Sequence, residues 1–348
     1  MIDHKLYYED LEYCISYPLD WRKLENKTIL IIGATGLIGQ FMIDMLMLRN
    51  KTYSSNISII AISRNSEIAN NYFNDYLNNS AFNYISHDIN KPLENINSVD
   101  YIIHAASNTH PIAYTTDPIG TITTNVLGTY NMLNYSKQNN NTRSMLLSTV
   151  EIYGENNIKK EKFSEDDCGY INCAELRAGY PESKRVSESL CYAFKEKYKM
   201  DIVIPRLCRI YGPTMTPSDS KVLSQFIKNA INNESIILKS NGNQLFSYCY
   251  VADAVTGILT ILLNGKSGEV YNIADSNSDI SLKELANLVA LKAGTNVIFR
   301  IPEQLEYSGY SKATKAILDS SKLDALGWKT RDSISTGVEK TIDILKRK

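Results

Sequence analysis

Tyr180 and Lys184 stand four residues apart in the run Tyr180-Pro181-Glu182-Ser183-Lys184, a spacing that puts both on one face of a helix. An ammonium beside a phenol favours the phenolate and lowers the tyrosine pKa. The result is a base able to take a proton from an alcohol while a hydride leaves for a nicotinamide. The pair alone recurs by chance in a chain with 23 tyrosines. It gains meaning from Ser148-Thr149-Val150-Glu151-Ile152-Tyr153-Gly154 upstream, where a strand ends and hands a hydroxyl to the same crevice. A dinucleotide site is offered by Gly33, Gly36 and Gly39, in Gly33-Ala34-Thr35-Gly36-Leu37-Ile38-Gly39. Glycines at that spacing let the backbone approach a pyrophosphate, while a helix N-terminus supplies N–H groups and a positive dipole end. A tight strand-to-helix turn is the plainer reading of the same triplet.

The elements that must position these residues are legible around them. Thr28–Ile32 is a continuous apolar run that stops at Gly33 and passes into the helical pattern of Phe41–Leu48. Further apolar, β-branched strands are predicted at Ile57–Ile62, Phe82–Ser86, Tyr101–His104, Met145–Thr149 and Ile202–Pro205, separated by helix-length stretches that include Gly120–Lys137 and Tyr180–Tyr198. Such alternation predicts an α/β fold, a Rossmann-type doubly wound parallel sheet buried on both faces. Beyond Tyr211-Gly212-Pro213 the pattern predicts helices near Lys221–Ile231, Val251–Leu263 and Leu282–Lys292, with short strands at Ile236–Leu238 and Val270–Ile273. Ser281 to Glu284 reads as a capping box. The chain therefore divides into an N-terminal extension (1–26), a dinucleotide-binding domain (27–210) and a smaller C-terminal α/β substrate-binding region (211–348), from which elements are free to return to the first sheet. In the extension, Trp21 reads as a packing anchor, and Tyr7, Tyr8 and Tyr13 suit packing, dimer or lid roles.

At the end of the second strand, where a ribose-binding acid would mark NAD, the sequence reads Ile62-Ser63-Arg64-Asn65. An arginine there can meet a 2′-phosphate, so Arg64 tilts the cofactor toward NADP; a solvated surface arginine is the alternative. Asp88, after the third strand, is placed to accept from an adenine amino group or to cap a turn.

Together these residues resemble the extended short-chain dehydrogenase/reductase family, the nucleotide-sugar epimerases, dehydratases and decarboxylases. The resemblance covers nearly the whole chain after residue 27. It includes His104-Ala105-Ala106-Ser107, Asp117-Pro118, Thr124-Asn125-Val126-Leu127-Gly128-Thr129, Tyr211-Gly212-Pro213, Tyr250-Val251-Ala252-Asp253, Tyr271-Asn272 and Leu326-Gly327-Trp328. It implies that Thr149, Tyr180 and Lys184 form the hydride-transfer triad and that a tightly held NAD(P) oxidises a sugar at C4 and is later reduced again. The implied cofactor residues are Gly33, Thr35, Gly36, Leu37, Ile38, Gly39, Arg64, Asp88, Ile89, Ala105, Ala106 and Ser107, with Tyr180 and Lys184. Ser107, Arg209, Lys221 and Phe246 are the implied substrate contacts.

Departures from the family pattern refine the expectation. In 4,6-dehydratases an acid pair follows the threonine; here Val150 cannot donate a proton, while Glu151 remains able to take one from the carbon next to a C4 ketone, or to sit in a structural hydrogen bond. The wording of residues 104–134 and 180–195 looks most like UDP-glucuronate decarboxylases. Those enzymes usually carry an arginine where this chain has Phe246, and Arg209, where relatives often have asparagine, is a candidate replacement; a salt bridge behind the sheet is its alternative. The resemblance also implies a homodimer through the helices 120–137 and 180–198.

Composition sets the outer bounds. With 37 Lys+Arg against 38 Asp+Glu the net charge is -1, which predicts neither nucleic-acid binding nor an acidic tail. No apolar run is long enough to span a bilayer, and the early acids Asp3, Glu9 and Asp10 argue against a signal peptide. Six scattered cysteines without a C-x-x-C predict free thiols, no structural metal and a cytoplasmic setting. The expectation is a cytoplasmic NAD(P)-dependent enzyme acting on a nucleoside-diphosphate sugar through a transient 4-keto intermediate, in the family's context of surface-polysaccharide precursors. Epimerisation is the favoured outcome, with 4,6-dehydration and decarboxylation as competitors. A nucleotide-binding sensor or scaffold is the non-enzymatic alternative, and an intact triad argues against it.

Overall fold

A computed structural model describes residues 1–109, 111–139, 142–156, 160–300 and 313–346. Of the polar run Asn139–Asn141, read in sequence as a loop tip, the last two residues lie outside the described residues. The first part of the chain forms α1 (Lys5–Ser16), β1 (Thr28–Ile32), α2 (Leu37–Tyr53), β2 (Ser58–Ser63), α3 (Ser66–Phe73), β3 (Phe82–Ser86), β4 (Tyr101–His104), α4 (Pro111–Thr116), α5 (Pro118–Gln138), β5 (Arg143–Leu146), β6 (Ser148–Thr149), α6 (Gly179–Tyr198) and β7 (Asp201–Leu207). There follow β8 (Arg209–Tyr211), α7 (Val222–Ile231), β9 (Ile236–Leu238), β10 (Leu245–Tyr250), α8 (Val251–Asn264), β11 (Val270–Ile273), β12 (Asp279–Ser281), α9 (Leu282–Ala293), β13 (Val297–Phe299) and β14 (Lys315–Ala316), and a helix at Ile334–Lys346.

The apolar, β-branched runs pair into one sheet in the order β11-β7-β5-β4-β1-β2-β3, with β6 also on β7, and all these pairings are parallel. β1 is central, which is why four of its five residues are buried. Strand order reverses between β1 and β4, and the crevice that ligands use in such sheets opens at the carboxyl ends of these strands. β11 and α8 come from the C-terminal third of the chain: β11 closes the edge beside β7, and α8, with Val251–Leu263 buried throughout, packs beneath β7 and against α2. A second sheet, β12-β10-β14 with β8 on β10, and the pair β13-β9 build the wall facing the crevice. The predicted capping box at Ser281 is present, Ser281 and Glu284 exchanging side-chain and backbone bonds.

The extension is structural. α1 lies over α2 and α8, so residues Gly39–Arg49 of α2 are all buried. The Tyr7 hydroxyl donates to Asp44 (2.6 Å) and that of Tyr13 to Asp253 (2.9 Å). Trp21 is buried, with the Arg49 guanidinium 4.4 Å over its ring. Tyr7 and Tyr13 are thus packing residues, while Tyr8 stays exposed.

Candidate active site

The turn after β1 requires its first glycine. Gly33 has φ +93°, and a Cβ there would lie 2.6 Å from Ala106 N and 2.7 Å from Ala105 C on the neighbouring β4 turn. A Cβ on Gly39 would lie 2.4 Å from the Gly33 carbonyl oxygen, so α2 starts tight against the turn. Gly36 caps α2 without a side-chain acceptor, leaving the helix N-terminus facing the crevice. Bare backbone and an uncapped helix N-terminus fit the pyrophosphate of a dinucleotide.

A cleft of about 340 Å³ runs from this turn to the second sheet. Of the residues singled out in the sequence, Gly33, Gly36, Leu37, Ile38, Gly39, Ala105, Ser107, Thr149, Glu151, Tyr180, Lys184, Arg209, Lys221 and Phe246 line it. Thr35, Arg64, Asp88, Ile89 and Ala106 do not. Arg64 is exposed beyond β2, the Asp88 carboxylate accepts from Asn90 N (3.1 Å) within its own turn, and Ile89 is buried in the core.

The predicted triad comes together at the ends of β6 and α6. The Thr149 side chain accepts from Glu151 N (3.3 Å), and the hydroxyls of Thr149 and Tyr114 hydrogen-bond the Tyr180 phenol. Tyr114, on α4, also stacks on Tyr180 with centroids 4.6 Å apart. Lys184 is buried, and its ammonium donates to the Leu147 carbonyl (2.9 Å) in the gap between β5 and β6. Behind the triad Ser107 donates to Asn125 (2.7 Å), Asn125 to Ser183 (2.9 Å) and Ser183 to the Tyr180 carbonyl (2.8 Å), which ties β4, α5 and α6 together.

One expectation is corrected here. The phenol of Tyr180 is pushed up to about 12, because burial outweighs the hydrogen bonds from Thr149 and Tyr114 and the nearby Arg177. The Lys184 ammonium is directed at the Leu147 carbonyl. Burial pulls Lys184 itself down to about 8, partly offset by the Glu188 carboxylate. His104, wholly buried at the end of β4, is lowered to about 3 by burial and by the Lys184 charge.

Glu151 is met by Arg177, whose guanidinium donates to it (2.8 Å) from the turn before α6. Burial opposes its ionisation, but Arg177 and Arg209 overcome burial and hold the carboxyl below its ordinary value. Arg209 stacks its guanidinium 3.4 Å over the Phe246 ring and leaves a buried Nη1 without a partner. Arg209 on β8 registers with Tyr248 and so shares a face of the sheet with Phe246. Lys221 pairs with Asp219 (3.2 Å). Arg177 and Tyr114 escaped the sequence reading: both act through neighbours distant in sequence, and no motif spacing marks them.

Among the described residues no cluster of His, Cys, Asp or Glu could hold a metal ion, and no helix is long and apolar enough to cross a membrane. A family model, the NAD-dependent epimerase/dehydratase family, matches residues 29–274. The chain belongs to this family. Like other members of the NAD-dependent epimerase/dehydratase family it is an NAD(P)-dependent enzyme. It is 31% identical over 320 residues to UDP-glucuronic acid decarboxylase 6 of Arabidopsis thaliana, a match covering 90% of this chain and 87% of that relative. Among solved structures it is similar to the dTDP-glucose 4,6-dehydratase DesIV of Streptomyces venezuelae, solved with NAD (TM-score 0.80, 22% identity, 92% of this chain and 97% of that one). It is also similar to the UDP-glucuronic acid 4-epimerase of Bacillus cereus, solved with NAD and UDP-glucuronic acid (TM-score 0.77, 22% identity, 92% and 99%). These two likenesses show the fold.

Proposed function

We propose that the protein oxidises a nucleoside-diphosphate hexuronate at C4 and releases its C6 carboxyl group as carbon dioxide. The observation that carries this reading is the pair of guanidiniums, Arg177 and Arg209, beside Glu151 and Tyr180. Arg209 keeps a buried Nη1 without a partner, and that N–H supports an anionic substituent there. The decarboxylase relative supports the same outcome.

The main chain of Gly33–Gly39 and the N-terminus of α2 would hold the cofactor pyrophosphate, with Ala105 and Ser107 lining the same cleft. When bound, the nicotinamide accepts the C4 hydride and returns it. Tyr180, as the phenolate that the positive charge of a bound oxidised nicotinamide would favour against burial, takes the proton from O4, and Thr149 holds the same oxygen. A C4 ketone stands β to the C6 carboxylate. The C5–C6 bond then breaks, carbon dioxide leaves, and the electron pair delocalises onto O4 as an enolate that Tyr180 and Thr149 hydrogen-bond. A proton from water closes C5. Glu151, held ionised by Arg177, is a proton acceptor at neutral pH, and with Val150 beside it no carboxylic acid is at hand for a departing hydroxyl, which counts against dehydration.

Epimerisation is the second reading, favoured by a site in which Tyr180 and Thr149 alone serve O4 and Glu151 is ready to accept a proton from an adjacent carbon. A panel of UDP-, GDP-, CDP- and dTDP-sugars with and without a C6 carboxylate, followed by chromatography and mass spectrometry, separates the two. Product lighter by carbon dioxide, from uronates alone, supports the proposal; an isomer of unchanged mass supports epimerisation; loss of water overturns both. Tyr180→Phe is expected to abolish turnover and leave the cofactor bound. A homodimer through the exposed apolar residues Leu127, Tyr130, Val186 and Tyr192 of α5 and α6 belongs to the same proposal, and sedimentation measures it.

A further inference from the structure

Glu188 lies on α6 one turn beyond Lys184 and two beyond Tyr180, on the same face of the helix, and it is buried. Its carboxylate accepts from the Ser148 hydroxyl and from two nitrogens of Arg206, Nε at 3.1 Å and Nη2 at 2.7 Å. Arg206 in turn donates to the Tyr153 hydroxyl (3.0 Å) and the Glu165 carbonyl (2.7 Å), and Tyr153 donates to Asn272 on β11 (2.7 Å). Ser148 is the residue before Thr149, and Arg206 is its register partner on β7. The carboxylate therefore joins the strand that carries Thr149 to the helix that carries Tyr180 and Lys184. An ion pair this deep is poor evidence for stability, since well-packed apolar residues often do as well, and its place between Thr149 and Lys184 suits a role in the site.

Charge gives that role. Lys184 donates to one carbonyl, Leu147, in a wholly buried setting that opposes its charge. The groups facing it are Glu188 and Cys191 on its own helix and His104 on β4, with Arg206 on β7 behind Glu188. His104 stays neutral and Cys191 is pushed up by burial, so Glu188 supplies the negative charge.

We propose that Glu188 is a positioning residue: through Ser148 and Arg206 it keeps Thr149 in register with Tyr180, and as an anion one turn from Lys184 it keeps that ammonium charged at neutral pH. The inference rests on the proposed C4 oxidation for its consequence in turnover, and on the placement of two buried groups one turn apart on α6 for its effect on Lys184.

The test uses the full-length protein, Glu188→Gln, and the double variant Glu188→Gln/Arg206→Gln, in which two amides can bond each other so that no unpaired guanidinium is left to unfold the chain. The Lys184 ammonium is titrated by NMR on 15N-labelled lysine, with Lys184→Met for assignment, and the pH dependence of kcat and KM is measured alongside. Both variants are expected to titrate Lys184 about one pH unit lower than the parent. The alkaline limb of kcat is expected to move with it, giving a loss of about fivefold at pH 8 and almost none at pH 6, with KM little changed. An unshifted Lys184 titration, or a kcat lowered equally at every pH, overturns the proposal and leaves Glu188 a structural residue. Absence of turnover by the parent on every nucleotide sugar would instead refute the functional reading, while the NMR titration still decides the role of Glu188.

Discussion

Replacing Gly33 by alanine tests whether the turn after β1 is built for close backbone approach. The residue sits at φ +93°, where an L side chain costs about 1–2 kcal/mol. The new Cβ would stand 2.6 Å from Ala106 N and 2.8 Å from Ala106 Cα, where ordinary contact begins at 3.4 Å. Both are main-chain atoms of the adjoining turn and neither can swing aside, so an overpacking cost of about 1–3 kcal/mol adds to the strain. The total is on the order of 2–5 kcal/mol, relieved by drawing the turn away from Ala105, which lines the cleft, and from Ala106 beside it. Isothermal titration with NAD and NADP is expected to show affinity at least about 30-fold weaker, the lower end of that range. Gly294→Ala is the control: Gly294 ends α9 at φ +69° with nothing within 4 Å of its Cβ position, so it incurs backbone strain of about 1–2 kcal/mol and no loss of cofactor affinity. Cofactor bound by Gly33→Ala within about threefold of the parent, or an equal loss in Gly294→Ala, would refute the reasoning.

Lys184 is held near 8 in the folded protein against an ordinary value near 10.5, so the unfolded chain binds the extra proton between those pH values. Its contribution to stability therefore rises with pH from about 8 to 10.5 while turnover that needs the ammonium falls; thermal melts of the parent against Lys184→Met, beside pH–rate profiles, check the opposed trends. Arg177→Met strips Glu151 of its partner, with the two side chains 16% and 21% exposed, and is expected to cost about 1–3 kcal/mol after allowance for that exposure. Because the folded Glu151 value is lowered, the stabilisation is present above the ordinary carboxylate range and lost on acidification, so urea melts should show the deficit at pH 7 shrinking toward pH 4. Tyr7→Phe removes a buried donor from Asp44, whose carboxyl burial raises to about 6. The variant is expected to lose about 1.5–3 kcal/mol at pH 8, where Asp44 is ionised, and less at pH 5, where it is protonated.

The parallel sheet was legible because continuous apolar runs stop at glycine or polar turns, and the boundaries of β1, β3 and β4 agree with the reading residue for residue. The capping box at Ser281 was legible because it depends on four consecutive residues. β10 and α1 were not read as elements. In β10, Ser247 interrupts the apolar pattern, and it is tolerated in the core because Asp279 on the paired strand accepts from its hydroxyl (2.5 Å). In α1 the buried Asp10 masks the amphipathic pattern, and its partners Arg331 and Lys340 lie more than three hundred positions downstream. The site followed the same rule. Tyr180, Lys184 and the glycine turn declared themselves by short spacing, whereas Arg177 on Glu151, Tyr114 on Tyr180 and Arg209 on Phe246 depend on packing across the cleft. The raised Tyr180 phenol is of the same kind, since it depends on burial that the four-residue spacing to Lys184 does not show.

The most direct test of the central claim is to give the enzyme UDP-glucuronate deuterated at C4 and to follow mass and label in the product. The account predicts a pentose product, lighter by carbon dioxide, with deuterium still at C4, because the hydride removed there returns to the same carbon. Loss of carbon dioxide without passage of the label through C4, seen as exchange with solvent or the absence of any isotope effect, would contradict it, as would an unchanged uronate beside efficient conversion of a neutral sugar.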